Sequence, residues 1–578
     1  MKAQIWKSRG SKEFPRKFVP KEVDLGDWER IEPLFKNLLE RDLETKKQIE
    51  KWLKDLSELE ACLDEEGSRR YILMTCNTTD EDLEKAYLHF ITEVEPKLKP
   101  YSDKLNRKYL ESPARKKLDP ERYLVYDRDI ENDVKLFREE NVPLQTEDDK
   151  LRQQYQKLCG SLTVQFDGEE RTMPQMRKYL EVTDRSIRKD AWTKTSEQYL
   201  THKDEFDTIY DKQIELRDQI AKNAGFPNYR DYIHLAKSRF DYTPEDCYAF
   251  HSAVEDLIVP INRKLAQRRK ENLGVDILRP WDLQVDEKGR DPLRPFETGS
   301  ELEEGVHKMF SNIDPELAEQ FALMRNNSLL DLESRKGKAP GGYQCGLEEV
   351  RYPFIFMNAA GTDSDVFTLL HEGGHAFHSF ACREDPMTTY RNPPLEFAEV
   401  ASMSMELFGL DFLGEFYSDE EARRSRESTL EGILKVLAWI ATIDAFQHWV
   451  YLNPHHSREE RKDFWLSLQD RFGSGVDWTG FEDAKAHAWH RQLHPFTVPF
   501  YYIEYGIAQL GALQLWVCAL DDLAAAVADY KEALTLGGSR PLPELFAKAG
   551  IRFGFDKETV GPLSERLIDA LDLNGVAT

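Results

Sequence analysis

A mainly α-helical fold with a small β component is predicted by three features of the sequence. Apolar residues recur at three- and four-residue spacing through most of the chain, only two stretches look like strands, and the longest apolar segments are interrupted by polar groups. The helical pattern opens at Asp27: Trp28-Ile31-Leu34-Leu38 and then Ile49-Trp52-Leu53-Leu56 set apolar side chains along one face, predicting helix on helix to about Asn106. Similar patterns over 107–160, 173–224, 243–270 and 298–330, divided by short loops holding Pro or Gly, extend the helical prediction. Leu162 to Phe166 before Asp167-Gly168 reads as a hairpin arm, and Arg351 to Met357 (RYPFIFM) as a second β segment. Residues 279–298, charged and rich in Pro and Gly, read as a surface excursion. Val436 to Phe446 and Tyr505 to Leu520 carry Asp444, Gln509 and Gln514 inside them and are expected to be buried helices, not membrane spans. A boundary near 225 divides the chain into residues 1–224 and 225–578.

The 578 residues suffice for a large enzyme of several subdomains, and 40% hydrophobic with 32% charged residues excludes low-complexity disorder. Asp plus Glu number 105 against 79 Lys plus Arg, a net charge of −26 that would repel a phosphate backbone, so no nucleic-acid partner is expected. Seven scattered cysteines with no C-x-x-C pair suit free thiols in a reducing compartment. The basic N-terminal stretch MKAQIWKSRGSKEFPRKFVP has no apolar run of signal length and the chain ends in no sorting tetrapeptide, so a cytoplasmic protein without a membrane partner is expected.

The sharpest feature is Asp363-Ser364-Asp365-Val366-Phe367-Thr368-Leu369-Leu370 running into His371-Glu372-Gly373-Gly374-His375. Residues four apart share a helix face, so His371 and His375 can reach one tetrahedral metal while Glu372 stands beside a water on it. Composition alone gives only about 0.06 chance matches to His-acid-x-x-His in a chain of this make-up. Thr362, Asp363 and Ser364 are N-cap candidates, and the apolar residues before His371 give the helix its body. Gly373 and Gly374 each cost about 1 kcal/mol relative to Ala in a helix, which implies that something approaches this backbone closely.

A catalytic zinc holds three protein ligands and one open position. Ala381 stands where the metzincin pattern would place a third histidine, so the remaining ligand is expected to be a carboxylate from a second helix opened by Pro393-Pro394. Glu399 is the best candidate, but spacing alone does not choose among Glu396, Glu399 and Glu406. His378 also lies near the metal face; a fourth protein ligand would close the catalytic position, so it reads as a packing residue. His487 and His490 read as structural.

At His371-Glu372-Gly373-Gly374-His375-Ala376-Phe377-His378 followed by Phe397-Ala398-Glu399-Val400-Ala401-Ser402, the chain resembles the thimet oligopeptidase and oligoendopeptidase F family of zinc metallopeptidases. The likeness continues upstream, where Gly341-Gly342-Tyr343 and Pro353 to Asn358 look like the family's substrate-flanking edge strand. Downstream it continues in His494 with Pro499-Phe500-Tyr501-Tyr502-Ile503-Glu504-Tyr505, and in Gly537-Gly538-Ser539 with Leu542 to Phe546. One departure stands at Ala508, where thimet-type members carry a further tyrosine.

The resemblance implies an elongated helical ellipsoid with a small sheet beside the active site and a deep central channel. In it 1–224 would form a channel wall and 225–578 the catalytic subdomain. It implies one Zn2+ per chain on His371, His375 and Glu399, with Glu406 in support. Glu372 would act as general base and acid on a zinc-bound water. His494, Tyr501 and Tyr505 would be donors to the tetrahedral oxyanion, Tyr501 foremost, with Gly342 and Tyr343 binding substrate. The implied activity is that of a zinc-dependent oligoendopeptidase acting on short unstructured peptides. A dipeptidyl carboxypeptidase of the same family stays open as an alternative, as does, further off, an inactive helical peptide-binding protein.

Overall fold

A computed structural model describes residues 13–573. Residues 1–12 and 574–578, on which the reading of the two chain ends partly rests, lie outside the described residues.

Helices dominate, and their starts follow from local chemistry. Asp27 accepts from the Glu29 amide at the head of α1 (Trp28–Glu40), and Thr45 with Gln48 forms a reciprocal capping box at the head of α2 (Lys46–Cys76). The predicted stripes face inward: Ile31, Leu38, Ile49, Trp52, Leu53 and Leu56 join one buried cluster that also takes Met387 and Tyr390 from far along the chain. Thr243 and Asp246 cap α3 (Pro244–Ala253) in the same reciprocal way.

The described chain divides into two compact units, both discontinuous. One combines the described part of Met1–Lys135 with Leu293–Ser425 and Gly511–Phe553; the other combines Leu136–Pro292, Arg426–Leu510 and the described part of Gly554–Thr578. The expected boundary near 225 falls inside the second unit's first segment.

In the second unit, β1 (Thr163–Phe166) and β2 (Glu169–Thr172) form the expected hairpin. Asp167 and Gly168 both take positive φ, 53° and 76°, as a two-residue turn matched to strand twist requires. Residues 279–298 are irregular but not simply superficial. Trp281 and Asp282 are buried, and Asp282 is held by the guanidinium groups of Arg185 and Arg188.

In the first unit, β3 (Leu330–Glu333), β4 (Tyr343–Leu347) and β5 (Tyr352–Ala359) form a sheet of order β3-β5-β4, with β3 parallel and β4 antiparallel to β5. Two expectations change here. The tail of the predicted helical stretch 298–330 leads into strand β3, and Pro353–Asn358 lies in the central strand, so of the two stretches expected at an edge only the one at Tyr343 lies in an edge strand, β4. Lys338 locks this sheet: its ammonium, wholly buried, donates to the carbonyls of Asp331, Glu333 and Met357 and to the Asp331 carboxylate. Burying that charge is tolerable because each proton finds an acceptor.

Four further helices matter below: α4 (Asp363–Cys382), α5 (Leu395–Gly409), α6 (Asp419–Leu452) and α7 (Tyr502–Leu534). By length and composition α7 is apolar enough to cross a membrane. It breaks at Asp522 (φ −153°, ψ 95°), whose carboxylate accepts from the Ala525 amide. Ile503, Ile507, Ala508, Leu510, Ala512 and Leu513 on it are all buried in the protein.

Candidate metal centre and active site

Helix α4 starts where Thr362 leaves extended backbone: the Asp365 carboxylate accepts from both the amide and the hydroxyl of Thr362. Asp363, another N-cap candidate, instead accepts from Tyr417 Oη and Ser425 Oγ at 2.6 Å each. Eight residues into α4, His371 and His375 project one turn apart and meet Glu399 of α5. Glu399 Oε2 lies 3.4 Å from His371 Nε2 and 3.9 Å from His375 Nε2, and one donor atom from each residue falls within 4.8 Å of the others. Tetrahedral Zn–N and Zn–O bonds of about 2.0–2.1 Å place neighbouring donors about 3.3 Å apart, so the set fits zinc. Neither Glu396 nor Glu406 belongs to this donor group.

The glycines explain how two helices come close enough. A Cβ on Gly374 would stand 2.5 Å from Ser402 Cα and 2.6 Å from Ala401 O, both backbone atoms of α5. A Cβ on Gly373 would meet the Phe310 ring at 2.6 Å. The helical cost of the pair is thus offset by the backbone approach that brings Glu399 to the histidines.

Around the donors, Glu406 Oε1 is 2.7 Å from His371 Nδ1, which fixes the ring with Nε2 toward the site. Ser402, fully buried, donates to Glu399 Oε2 at 3.1 Å. Its orienting role was not assigned from sequence, although its place three residues after Glu399, on the same helix face, signalled it. Burial alone would lower the His371 pKa; the Glu406 hydrogen bond and the charges of Glu406, Glu399 and Glu372 outweigh it and hold the group up at about 9 on the protein's own charges. Burial lowers His375 well below its ordinary value, with His371 adding to the effect.

Glu372 is buried, and burial pushes it up to about 7, opposed by His371 and by a hydrogen bond from the Gln344 amide of β4. The Gln344 amide thus lies beside the Glu372 carboxylate. Tyr343 stacks on Phe356 at 4.8 Å and its hydroxyl is 2.6 Å from Thr75 Oγ1, so its ring is fixed and its oxygen engaged. Gly342, where a Cβ would make only ordinary contacts, continues the strand outward. His378 lies in an apolar pocket against Phe397, both ring nitrogens without a hydrogen-bond partner, its pKa lowered by burial to about 3. It is a neutral packing residue outside the donor group.

His494, Tyr501 and Tyr505 come together within the second unit, with ring centroids 5.7 Å (His494–Tyr501), 6.0 Å (His494–Tyr505) and 5.0 Å (Tyr501–Tyr505) apart. Trp439 Nε1, which can only donate, bonds Gln492 Oε1 at 2.8 Å; the Gln492 amide nitrogen then donates to His494 Nδ1 at 2.6 Å. His494 is thereby the tautomer whose proton sits on Nε2, and burial with nearby Lys237 keeps it neutral, with a pKa of about 4. Before Tyr501, Phe500 holds φ = 61°, a strained value for a bulky residue, pinned by the Gln447 side chain on its amide and Arg239 on its carbonyl. Buried Arg217 donates to the carbonyls of Pro495 and Phe496 and pairs with Asp148, anchoring the turn after His494. Gln492, Gln447 and Arg217 carry no local motif and were not singled out in the sequence. His490 is buried against Asp207 and Phe206, a structural position.

The sequence profile of Peptidase family M3 matches residues 178–561, and that of the Peptidase M3 N-terminal domain matches residues 18–137. Oligopeptidase PepF of Bacillus subtilis (strain 168) is 25% identical over 399 residues, covering 67% of this chain and 57% of that protein. Group B oligopeptidase PepB of Streptococcus agalactiae serotype III (strain NEM316) is 22% identical over 319 residues, covering 52% of this chain and 51% of that one. The chain thus spans about half the length of these two curated relatives. A solved structure of PZ peptidase A with inhibitor 2 is similar at a TM-score of 0.86 and 31% identity, over 96% of this chain and 99% of that one.

Proposed function

This chain belongs to peptidase family M3, and from that membership we propose that it is a zinc-dependent oligoendopeptidase hydrolysing internal bonds of short, unstructured peptides. The observation that carries the reading is the donor group His371, His375 and Glu399, within 4.8 Å of one another, with Glu372 on the same helix. Bound there, zinc would polarise the scissile carbonyl and acidify the attacking water. Glu372, aimed by the Gln344 amide, takes the water's proton and hands it to the leaving nitrogen, a transfer that contributes typically about 10²–10⁴-fold. Tyr501 foremost, then His494 through its Nε2 proton and Tyr505, donate to the oxyanion, each worth on the order of 2.7–4 kcal/mol by analogy with other oxyanion donors. Support for this set is its clustering and the pinned backbone at Phe500. Gly342 and Tyr343 at the β4 edge would align an extended peptide by strand addition. The free state of all seven cysteines supports a reducing, cytoplasmic setting, and the acidic charge argues against a nucleic-acid partner.

The test is mass-spectrometric mapping of products from peptides of about 5–20 residues, with and without a zinc chelator. Chelator-sensitive internal cuts are expected. Stepwise loss of C-terminal dipeptides would instead make the chain a dipeptidyl carboxypeptidase. No cleavage by zinc-loaded protein would leave a peptide-binding role.

A further inference from the structure

A second constellation of metal-ligating side chains lies wholly within the second unit. Cys247 and His251 stand four residues apart on α3, and Asp444 and His448 stand four apart on α6, so each helix offers a pair of donors on one face. All four residues are at least 97% buried. Donor atoms of Cys247, Asp444 and His448 fall within 4.8 Å of one another, and His448 Nε2 is 3.2 Å from Asp444 Oδ2, the spacing of two neighbours on a tetrahedral ion. His251 Nε2 lies 2.8 Å from that same Oδ2, orienting the carboxylate as an outer partner orients a ligand.

Asp444 Oδ1 and His448 Nδ1 are buried with no polar partner, and His448 Nε2, although 3.2 Å from Asp444 Oδ2, is not aligned for a hydrogen bond to it. Polar groups so deeply buried are normally satisfied. The Phe500 ring, 5.3 Å from the His448 ring, has no acceptor to offer, and the Tyr248 hydroxyl accepts from Arg230 instead. A thiolate and a carboxylate together cancel the charge of a divalent cation, which makes such a site tolerable in the interior.

We propose that Cys247, Asp444 and His448, with His251 behind Asp444, bind a second, structural d-block dication of the zinc class, separate from the catalytic one. Sulfur, imidazole and carboxylate donors select zinc or cobalt over calcium or magnesium. The ion would clamp α3 to α6 directly beside Phe500, whose strained backbone positions Tyr501.

Cobalt distinguishes the two sites. The catalytic donors are two imidazoles and a carboxylate, so only the second site can give a near-ultraviolet thiolate-to-cobalt charge-transfer band. The full-length protein, produced in cobalt-supplemented medium so that metal enters during folding, is expected to hold two equivalents by elemental analysis and to show that band. In His375→Ala the band should remain while one equivalent and peptidase activity are lost, which separates this inference from the catalytic reading. In Cys247→Ser, or His448→Gln should the former not fold, the band and one equivalent should vanish. A cobalt-loaded native chain without the band, whatever its stoichiometry, overturns the proposal, as does a band that survives Cys247→Ser.

Discussion

Glu372 and His375 sit three positions apart on one helix, yet their replacement should fail in different ways. Glu372→Gln keeps the donors and removes the proton acceptor, so zinc content should stay near the native level while turnover falls at least about 10²-fold. His375→Ala should lose the catalytic equivalent of zinc and activity together. Metal analysis beside a peptide-cleavage assay checks both, and retained turnover in the first or full zinc in the second would overturn the roles. Glu406→Ala, which removes the carboxylate 2.7 Å from His371 Nδ1, should weaken zinc affinity about 10–100-fold with the fold intact, read by competition with a chelating dye. At this scale the sequence is informative where chemistry is compressed into a few helical turns: His371, Glu372 and His375 are readable because their spacing is itself the geometry. Gln492 is not, because it acquires its role only when the distant Trp439 fixes its carbonyl oxygen and so turns its amide nitrogen toward His494, whereas Ser402 is placed by spacing from Glu399 but has no chemistry of its own that singles it out.

The approach of α4 to α5 makes Gly374 a packing requirement at the element scale. Gly374→Ala would improve helix propensity by about 1 kcal/mol in isolation, but its methyl would stand 2.5 Å from the Ser402 backbone. We expect net destabilisation of about 1–3 kcal/mol and reduced zinc affinity, measured by urea unfolding and metal titration. Zinc affinity at the native level would refute the link between packing and donor spacing. The sheet beside these helices supplies a pH test. Burial opposes ionisation of Asp331, but Arg335 and Lys338 outweigh it and hold the carboxyl down at about 2. A folded-state pKa below the unfolded value means stability present above about pH 4 and lost as pH falls through about 2, worth roughly 2 kcal/mol. The gap in urea midpoint between the native chain and Asp331→Asn should therefore narrow between pH 4 and 2 and stay constant from pH 5 to 7. Helices and the β1–β2 hairpin were legible because caps, periodicity and an Asp-Gly turn are local signals. β3 was not, since Leu330–Glu333 becomes a strand only by pairing with β5.

Across the whole molecule, compactness does not follow chain order. Each unit is assembled from three segments, so a single cut near 225 had no local signal to find, and composition shifts could not reveal one. The same holds for α3 and α6, whose facing donor pairs are separated by nearly two hundred residues; Asp444 reads in sequence only as a charge interrupting an apolar helix.

The Gly374 contact has a meaning in time as well as in space. His371 and Glu399 are 28 residues apart in the chain, so the metal pocket closes a short loop, and loop closure grows costlier only with the logarithm of length. The His494–Tyr505 cluster instead depends on Arg217 and Arg239, some 260 to 280 residues earlier. Contacts that distant form late. On refolding, zinc uptake followed with a metal indicator should therefore run ahead of recovered peptidase activity, and simultaneous appearance of the two would argue against it. A young chain would hold its metal before it could use it, the two-helix pocket serving first as a folding nucleus and only afterwards as a catalyst.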